Sequence, residues 1–291
     1  MLNLLDYVWN HPLNAHGRLP ALWRVLRWQI TSQLMPDLIA FPYVGGTRLF
    51  AARGLTGATG NWYCGLHEVA EMGFVLHLLR PGDHFLDVGA NVGSYTVLAG
   101  GAVGARVTAV EPVPETFAVL QRNVALNGLG ERVRSCQAGL SGETGTLRFS
   151  IDLDTMNHVL ADGEVCPSVE VPVFRLDDLV GDDVPTLIKM DVEGHELAVL
   201  RGAHATLTGP GVLAVVMEIG DGSARRYGAN AGELFVAMRE FGFSPFRYDP
   251  FERRLMDWAG GSANAIFVRD RAAIGARLGS APVFKLVNGE I

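Results

Sequence analysis

Apolar residues recur along the chain in two patterns, one with the period of a strand and one with the period of a helix. From residue 84 onward, short apolar runs alternate with longer segments of helical spacing. Parallel strands need crossover connections, so this alternation predicts an α/β fold whose mostly parallel sheet has helices on both faces. Seven strands are predicted, one starting at residue 84 and the others at 106–111, 132–137, 186–191, 212–218, 244–248 and 263–268.

Residues 145–175 interrupt this alternation. The runs 146–151 and 169–174 alternate apolar and polar residues with period two, which predicts two antiparallel strands. The polar stretch 152–168 between them is a loop long enough to suggest a function. We therefore predict an insertion within the α/β domain.

The segment 20–30 near the start of the chain has helical spacing. Its apolar stripe consists of Leu22, Leu26 and Ile30, and arginines lie off that stripe. A basic amphipathic helix of this kind can lie on a membrane or contact a partner, including a second copy of the chain in a homo-oligomer. We favour a cap that packs on the α/β domain.

The chain is long enough, at 291 residues, to bury one large core. Three parts are predicted along it. They are an N-terminal helical and hairpin extension or cap (1–60, with the hairpin at about 43–50), the α/β domain (61–275) and a C-terminal tail (276–291).

A glycine turn carrying an acid and an amide follows the first strand of the predicted sheet. Gly89 and Gly93 allow the backbone to approach a ligand closely, and a helix beginning near Val92 points free N–H groups into the turn. Glu111 ends the second strand, roughly 20 residues further on, where an acid can accept hydrogen bonds from a ribose diol. These features predict a nucleoside-binding half-site.

Asp87 stands where a dinucleotide-binding fingerprint has its first glycine. A carboxylate there would repel a pyrophosphate, and it suits a ligand with an ammonium and a sulfonium group. The sequence therefore predicts S-adenosylmethionine as the cofactor. A nicotinamide-dependent dehydrogenase is the alternative that the missing glycine weakens.

The pattern D-V-G-A-N-x-G-x-Y-T resembles the first motif of class I methyltransferases, and in this wording it resembles the FkbM family. The resemblance covers about residues 60–270 and includes Glu111-Pro112, the run I-K-M-D-V-E-G-H-E at 188–196, and V-M-E at 216–218. It implies a Rossmann-like class I fold and O-methylation of a sugar, glycan or polyketide-type natural product. The alternatives are N- or carboxyl-methylation of a small metabolite, and a protein that binds S-adenosylmethionine without catalysis.

Members of the resembled family carry a Tyr-x-Gly-x-x-Glu pattern upstream of the first motif, matched here by Tyr63, Gly65 and Glu68. The resemblance implies that this segment lines the cleft. Topology assigns the residues after the third strand to the adenine, and the glycine turn to the methionine portion. The expected cofactor-binding residues are Tyr63, Glu68, Asp87, Gly89, Ala90, Asn91, Gly93, Glu111, Pro112, Gln137, Ala138 and Asp191.

Ligands of open α/β sheets bind outside the carboxyl ends of the strands, where several acids of this chain fall. A hydroxyl acceptor must lose a proton, and the candidates for that base are Asp191, Glu193, His195 and Glu218. Glu193 and Glu196 can instead complement a helix dipole.

A magnesium site is left open without being predicted. Asp191, Glu218 and Asp221 carry the oxygen ligands that Mg²⁺ prefers, but acids at strand ends also bind hydroxyl groups directly.

Composition narrows the class of protein further. Hydrophobic residues make up 48% of the chain and charged residues 19%, as in a folded domain, and the net charge of −7 argues against a nucleic-acid partner. Three scattered cysteines suggest neither a disulfide framework nor a metal pattern. We expect no membrane span and no signal peptide, and hence a cytoplasmic protein that acts on a small-molecule or glycan acceptor.

Overall fold

The computed structural model describes residues 2–35, 37–161, 163–220, 226–227, 230–260 and 263–291. The strands, in chain order, are β1 (Ile39–Pro42), β2 (Arg48–Ala51), β3 (His84–Val88), β4 (Arg106–Val110), β5 (Val133–Cys136), β6 (Gly139–Leu140), β7 (Gly145–Ser150), β8 (Ser168–Phe174), β9 (Leu187–Met190), β10 (Ala214–Glu218), β11 (Ser244–Asp249), β12 (Arg254–Asp257), β13 (Asn264–Val268), β14 (Lys285–Leu286) and β15 (Gly289–Glu290).

The helices are α1 (Leu2–Asn10), α2 (Arg18–Leu34), α3 (Thr56–Cys64), α4 (Val69–Leu78), α5 (Ser94–Val97), α6 (Pro114–Leu126), α7 (Leu176–Val180), α8 (Glu196–Arg201), α9 (His204–Thr208), α10 (Ala231–Glu240) and α11 (Arg271–Gly279). A π-helical stretch, Leu98–Val103, continues α5. Within the described residues, no helix has the length and apolarity needed to cross a membrane.

The central sheet has the strand order β12-β11-β13-β10-β9-β3-β4-β5. Its β10-β9-β3-β4-β5 part is parallel, and β13 runs antiparallel to β10. Side chains alternate between two apolar cores, one on each face, so that Phe85 packs on one side and Leu86 on the other. The predicted α/β fold with a mostly parallel sheet is confirmed.

The predicted strand number of seven is wrong, because eight strands of the described chain join this sheet. The strand missed is β12, which pairs antiparallel with β11 at the edge. It has four residues and a charged residue at each end, and only Leu255 among them is buried. So short an edge strand lacks the apolar run by which the others were predicted.

The N-terminal helices pack on the domain, and of the predicted stripe Leu22 alone packs against its core. The buried residues of α2 are Ala21, Val25, Trp28 and Ser32. Leu26 and Ile30 of the predicted stripe are exposed instead. Strands β1 and β2 form an antiparallel hairpin that overlaps the predicted one.

The insertion contains the predicted antiparallel pair, β7 and β8, and β6 pairs with β8 on the other side. The C-terminal segment packs against the domain: α11 contacts α4, and Ile291 is buried. Asn288 donates hydrogen bonds from its side-chain amide to Leu13 O, Asn14 Oδ1 and Cys64 O. The C-terminal segment therefore links the N-terminal extension to α3.

Candidate active site

The turn after β3 requires glycine at position 89. Gly89 has a φ of +74°, and a Cβ there would lie 1.9 Å from the carbonyl oxygen of Asp191. The next bend is at Asn91, whose φ is +50° and whose side-chain oxygen accepts a hydrogen bond from Val92 N. Close packing of the turn against the residue after β9 thus brings the ends of the two strands together.

Glu111, one residue beyond β4, fixes the other side of this turn. Its carboxylate accepts hydrogen bonds from the backbone N–H groups of Asn91 (2.9 Å) and Val113 (3.0 Å). Burial raises the pKa of Glu111 to about 7. Each carboxylate oxygen retains capacity for a further donor, such as a ribose hydroxyl.

A cavity of about 280 Å³ opens between the turn, the ends of the central strands and the insertion. Many of the residues expected at the site border it. These are Glu68, Gly89, Ala90, Asn91, Glu111, Pro112, Asp191, Glu193 and Glu218.

Three of the acids form a compact group in this cavity. One oxygen each from Asp191, Glu193 and Glu218 lies within 4.8 Å of the others. Burial, together with the neighbouring negative charges, raises the pKa of Glu193 to about 7 and that of Glu218 to about 8. Glu193 has a φ of +55°, a strained backbone conformation of the kind that clusters at functional sites.

Among the described residues, these three side chains lie close enough together to hold a metal ion. Asp221, the other acid considered for magnesium, lies outside the described residues.

Lys189 is a site residue to which the sequence analysis assigned no role. Its ammonium donates to Asp191 Oδ2 (2.9 Å) and to Gly89 O (3.1 Å), and it lies over the Tyr95 ring. Burial alone would lower the pKa of Lys189, but the carboxylates of Asp191, Asp87 and Glu68 raise it above its usual value. A lysine within an otherwise apolar strand was the available signal, because a buried lysine needs anionic partners.

Glu68 connects the cavity to β13, the strand next to β10. It accepts hydrogen bonds from Tyr95 Oη (2.7 Å) and from Asn264 Nδ2 (2.9 Å). Glu68 thus lines this cavity, whereas Tyr63 of the same Tyr-x-Gly-x-x-Glu pattern does not.

Other expected residues lie away from this cavity. Asp87 is fully buried and accepts a hydrogen bond from Thr96 Oγ1 (2.6 Å), and Gly93 packs against Leu120. Gln137 is exposed. Burial raises the pKa of Asp87, against the opposing charge of Lys189.

A small apolar cavity of about 20 Å³ shares Gly89, Pro112 and Phe149 with the first. Ala138 and His195 line it. His195 bonds Ser141 Oγ through Nε2 (3.1 Å), and burial lowers the pKa of the His195 imidazole to about 4. His195 and the three-acid group thus border different cavities.

A further cavity of about 410 Å³ lies between α1, α2 and α3. Tyr63 borders this cavity rather than the first, together with Tyr7, Trp28 and other residues. Thr56 and His67 line both cavities, so the two adjoin. Tyr7 holds His67 at this junction, with 2.8 Å between Tyr7 Oη and His67 Nδ1.

The sequence model of the methyltransferase FkbM domain matches residues 87–245, which is more than half of the chain. The chain belongs to the FkbM methyltransferase family. It is accordingly a methyltransferase, and the resemblance seen in its motifs is confirmed.

Two relatives with similar sequences are both methyltransferases. The 31-O-demethyl-FK506 methyltransferase FkbM of Streptomyces tacrolimicus is 31% identical over 204 residues, which cover 57% of this chain and 74% of that protein. The hexuronic acid methyltransferase AglP of Haloferax volcanii is 32% identical over 126 residues, covering 41% of this chain and 49% of that protein.

Among solved structures, an S-adenosylmethionine-dependent methyltransferase from Geobacter sulfurreducens, in complex with S-adenosyl-L-homocysteine, is similar with a TM-score of 0.37 and 14% identity. That similarity covers 60% of this chain and 62% of the other. A precorrin-6y C5,15-methyltransferase from Geobacter metallireducens has a TM-score of 0.41 and 10% identity, covering 70% and 87%.

Proposed function

We propose that this protein methylates a hydroxyl group of a sugar or of a natural product with S-adenosylmethionine as the methyl donor. The observation that carries the proposal is the group of Asp191, Glu193 and Glu218 in the same cavity as the glycine turn and Glu111. One cavity thereby combines residues suited to a nucleoside with carboxylates suited to taking a proton.

The charges of the cavity fit this cofactor. Five acids line it. Among the described lining residues there is one lysine, Lys189, and no arginine. The buried Oε2 of Glu218 has no hydrogen-bond partner among the described protein atoms. Such a lining favours a ligand with positive groups over one with a pyrophosphate. When bound, S-adenosylmethionine supplies a methyl group activated by its sulfonium.

Each part of the cofactor has candidate residues in this chain. We assign the ribose diol to Glu111 and the methionine portion to the turn Gly89–Asn91. The adenine is assigned to the apolar walls around Pro112, Ala138 and Phe149, where the first cavity adjoins the small apolar one. Phe149 comes from the insertion and was not expected from the sequence.

Glu193 and Glu218 are the candidates for the general base. A base works best when its pKa lies near the operating pH, and their pKa values of about 7 and about 8 meet that condition. The contribution of such a base is typically about 10²–10⁴-fold in rate. Asp191, held by the Lys189 ammonium, would orient the acceptor hydroxyl or the cofactor ammonium.

The adjoining cavity between α1, α2 and α3 is the candidate binding site for the rest of the acceptor. Its walls include three aromatic residues, Trp28, Tyr7 and Tyr63. Among its described lining residues, Arg53 carries a charge. An acceptor with an apolar or ring-containing portion would occupy this space and present its hydroxyl past Thr56 and His67. The hydroxyl and sugar chemistry is also supported by the names of the relatives that act on 31-O-demethyl-FK506 and on hexuronic acid.

Two measurements, made one after the other, test the proposal. Isothermal titration calorimetry with S-adenosylmethionine and S-adenosylhomocysteine should show binding of both, and binding of neither would refute the cofactor assignment. Transfer of a radiolabelled methyl group to a panel of hexuronic acids, deoxysugar glycosides and macrolides should then identify an acceptor.

Variants of the acids separate the roles in that assay. Asp191→Asn and Glu218→Gln should lower kcat far more than they change cofactor affinity, whereas the exposed Glu240→Gln on α10 should change neither. Full activity of both site variants would show that these carboxylates take no part in the reaction.

A further inference from the structure

Helix α2 has two apolar faces, and the domain covers one of them. The face made of Ala21, Val25, Trp28 and Ser32 is buried. On the opposite side lie five large apolar side chains, which we call the α2 stripe. They are exposed as follows: Leu19 73%, Trp23 58%, Leu26 48%, Ile30 51% and Leu34 77%.

The spacing of the stripe is that of a helix–helix seam. Leu19, Trp23, Leu26 and Ile30 follow one another at intervals of four, three and four residues. Those are the a and d intervals of a heptad, which keep apolar side chains facing a partner helix. The pattern holds from Leu19 to Ile30, and Leu34, four residues after Ile30, extends the same face by a further turn.

We propose that two copies of this chain associate by antiparallel pairing of their α2 helices. The stripe is centred between Leu26 and Arg27, so a twofold axis there puts Leu19 opposite Leu34 of the second copy and Trp23 opposite Ile30. Leu26 then lies beside the axis, next to its own counterpart. The stripe is self-complementary in this register, as an interface with twofold symmetry must be.

The area of the stripe agrees with this occupant. Taking roughly 200 Å² for a large apolar side chain, each stripe exposes on the order of 600 Å². A pair would bury about 1,200 Å², which reaches the lower limit for specific interfaces.

The inference does not depend on the proposed function, since no stripe residue borders the candidate active site.

Light scattering after size-exclusion chromatography should give twice the 31.4 kDa of one chain. Leu26→Glu should give the single-chain mass without lowering the melting temperature of the monomer or its affinity for S-adenosylhomocysteine. Val236→Glu, which changes a residue exposed to 57% on α10, is the matched control and should leave the dimer intact.

The register is tested by disulfide cross-linking in a background with Cys136→Ser and Cys166→Ser, because Cys64 is buried. A mixture of Leu19→Cys and Leu34→Cys chains should cross-link, whereas neither chain should cross-link alone. A single-chain mass for the unmodified protein would overturn the proposal. Flotation of that monomer with phosphatidylglycerol vesicles, lost in Leu26→Glu, would assign the stripe to an anionic lipid surface instead.

Discussion

The ammonium of Lys189 lies 2.9 Å from Asp191 Oδ2, two residues further along the same chain segment. The same ammonium donates to Gly89 O, so it joins the end of β9 to the turn after β3. Lys189 is buried, whereas the Asp191 side chain retains 36% exposure. The lysine therefore holds the acid at the cavity wall and leaves it accessible to a ligand.

Replacement of the lysine tests this pairing. Lys189→Met leaves the Asp191 and Asp87 carboxylates without their cation, and we expect the free energy of unfolding to fall by about 2 kcal/mol. The loss should be smaller than for a fully enclosed pair, because Asp191 reaches solvent. Urea denaturation measures it, and Lys189→Met combined with Asp191→Asn should recover part of the loss. Equal stability of Lys189→Met and the unmodified protein would contradict the pairing.

Glu111→Ala tests the ribose assignment. Removing a carboxylate that accepts hydrogen bonds from two hydroxyl groups should weaken binding roughly 10- to 100-fold. S-adenosylmethionine and S-adenosylhomocysteine share the ribose, so both affinities should fall alike in calorimetry. The exposed Glu115→Ala, at the start of α6, is the control. Loss of affinity for only one of the two ligands would argue against a ribose contact.

The acid group predicts a pH effect on cofactor discrimination. Glu193 and Glu218 lose protons as the pH rises through about 7 and about 8, and the cavity becomes more negative. S-adenosylmethionine carries a sulfonium charge that S-adenosylhomocysteine lacks. From about pH 6 to about pH 9, its affinity relative to the product should therefore rise by about tenfold. Calorimetry at both pH values measures the ratio, which Glu218→Gln should flatten.

Glu218 should also make stability depend on pH. Its pKa in the folded protein, about 8, lies above the ordinary value of 4.5, so between these values the folded state binds more protons than the unfolded state. The free energy of unfolding must then fall as the pH rises through this window. Glu218→Gln removes the effect and should raise the melting temperature by about 2–4 °C above pH 8, but not near pH 5. A gain of equal size at both pH values would contradict it.

We expect the three acids to bind Mg²⁺ only weakly. Lys189 already neutralises Asp191, and Glu193 and Glu218 hold protons near neutral pH. Titration with MgCl₂ should give millimolar affinity or weaker, and EDTA should leave cofactor binding unchanged. Lys189→Met should strengthen Mg²⁺ binding. Tight Mg²⁺ binding by the unmodified protein would make Asp191 and Glu218 metal ligands.

The sequence was sufficient to predict seven of the eight strands of the sheet and the edge where the candidate site lies. Carboxyl ends of parallel strands meet at one edge, so Gly89, Glu111 and Asp191 could be expected together before any coordinates were known. Their neighbour Lys189 could not be assigned. Its contacts depend on the register of β9 against β3, which the apolar pattern leaves undetermined.

The N-terminal extension illustrates a second limit. Helix α2 carries apolar residues on two opposite faces, and periodicity alone does not distinguish the face around Val25 from the face around Leu26. That choice follows from contacts with α1, the preceding helix, and with α3, which is distant in sequence. The cavity between these helices arises from the same contacts and was not predicted either.

The hydrogen bonds of Asn288 also bear on the order in which the molecule is built during translation. Asn288 donates hydrogen bonds to both Asn14 and Cys64. These two residues leave the ribosome long before residue 288 does. A nascent chain can form the β3–β4 unit early. The Asn288 hydrogen bonds that join the N-terminal extension to α3 can form only after nearly 300 residues have been made. Ribosome-bound chains stopped before residue 288 should therefore expose α1 and α2 to protease while the sheet is already protected.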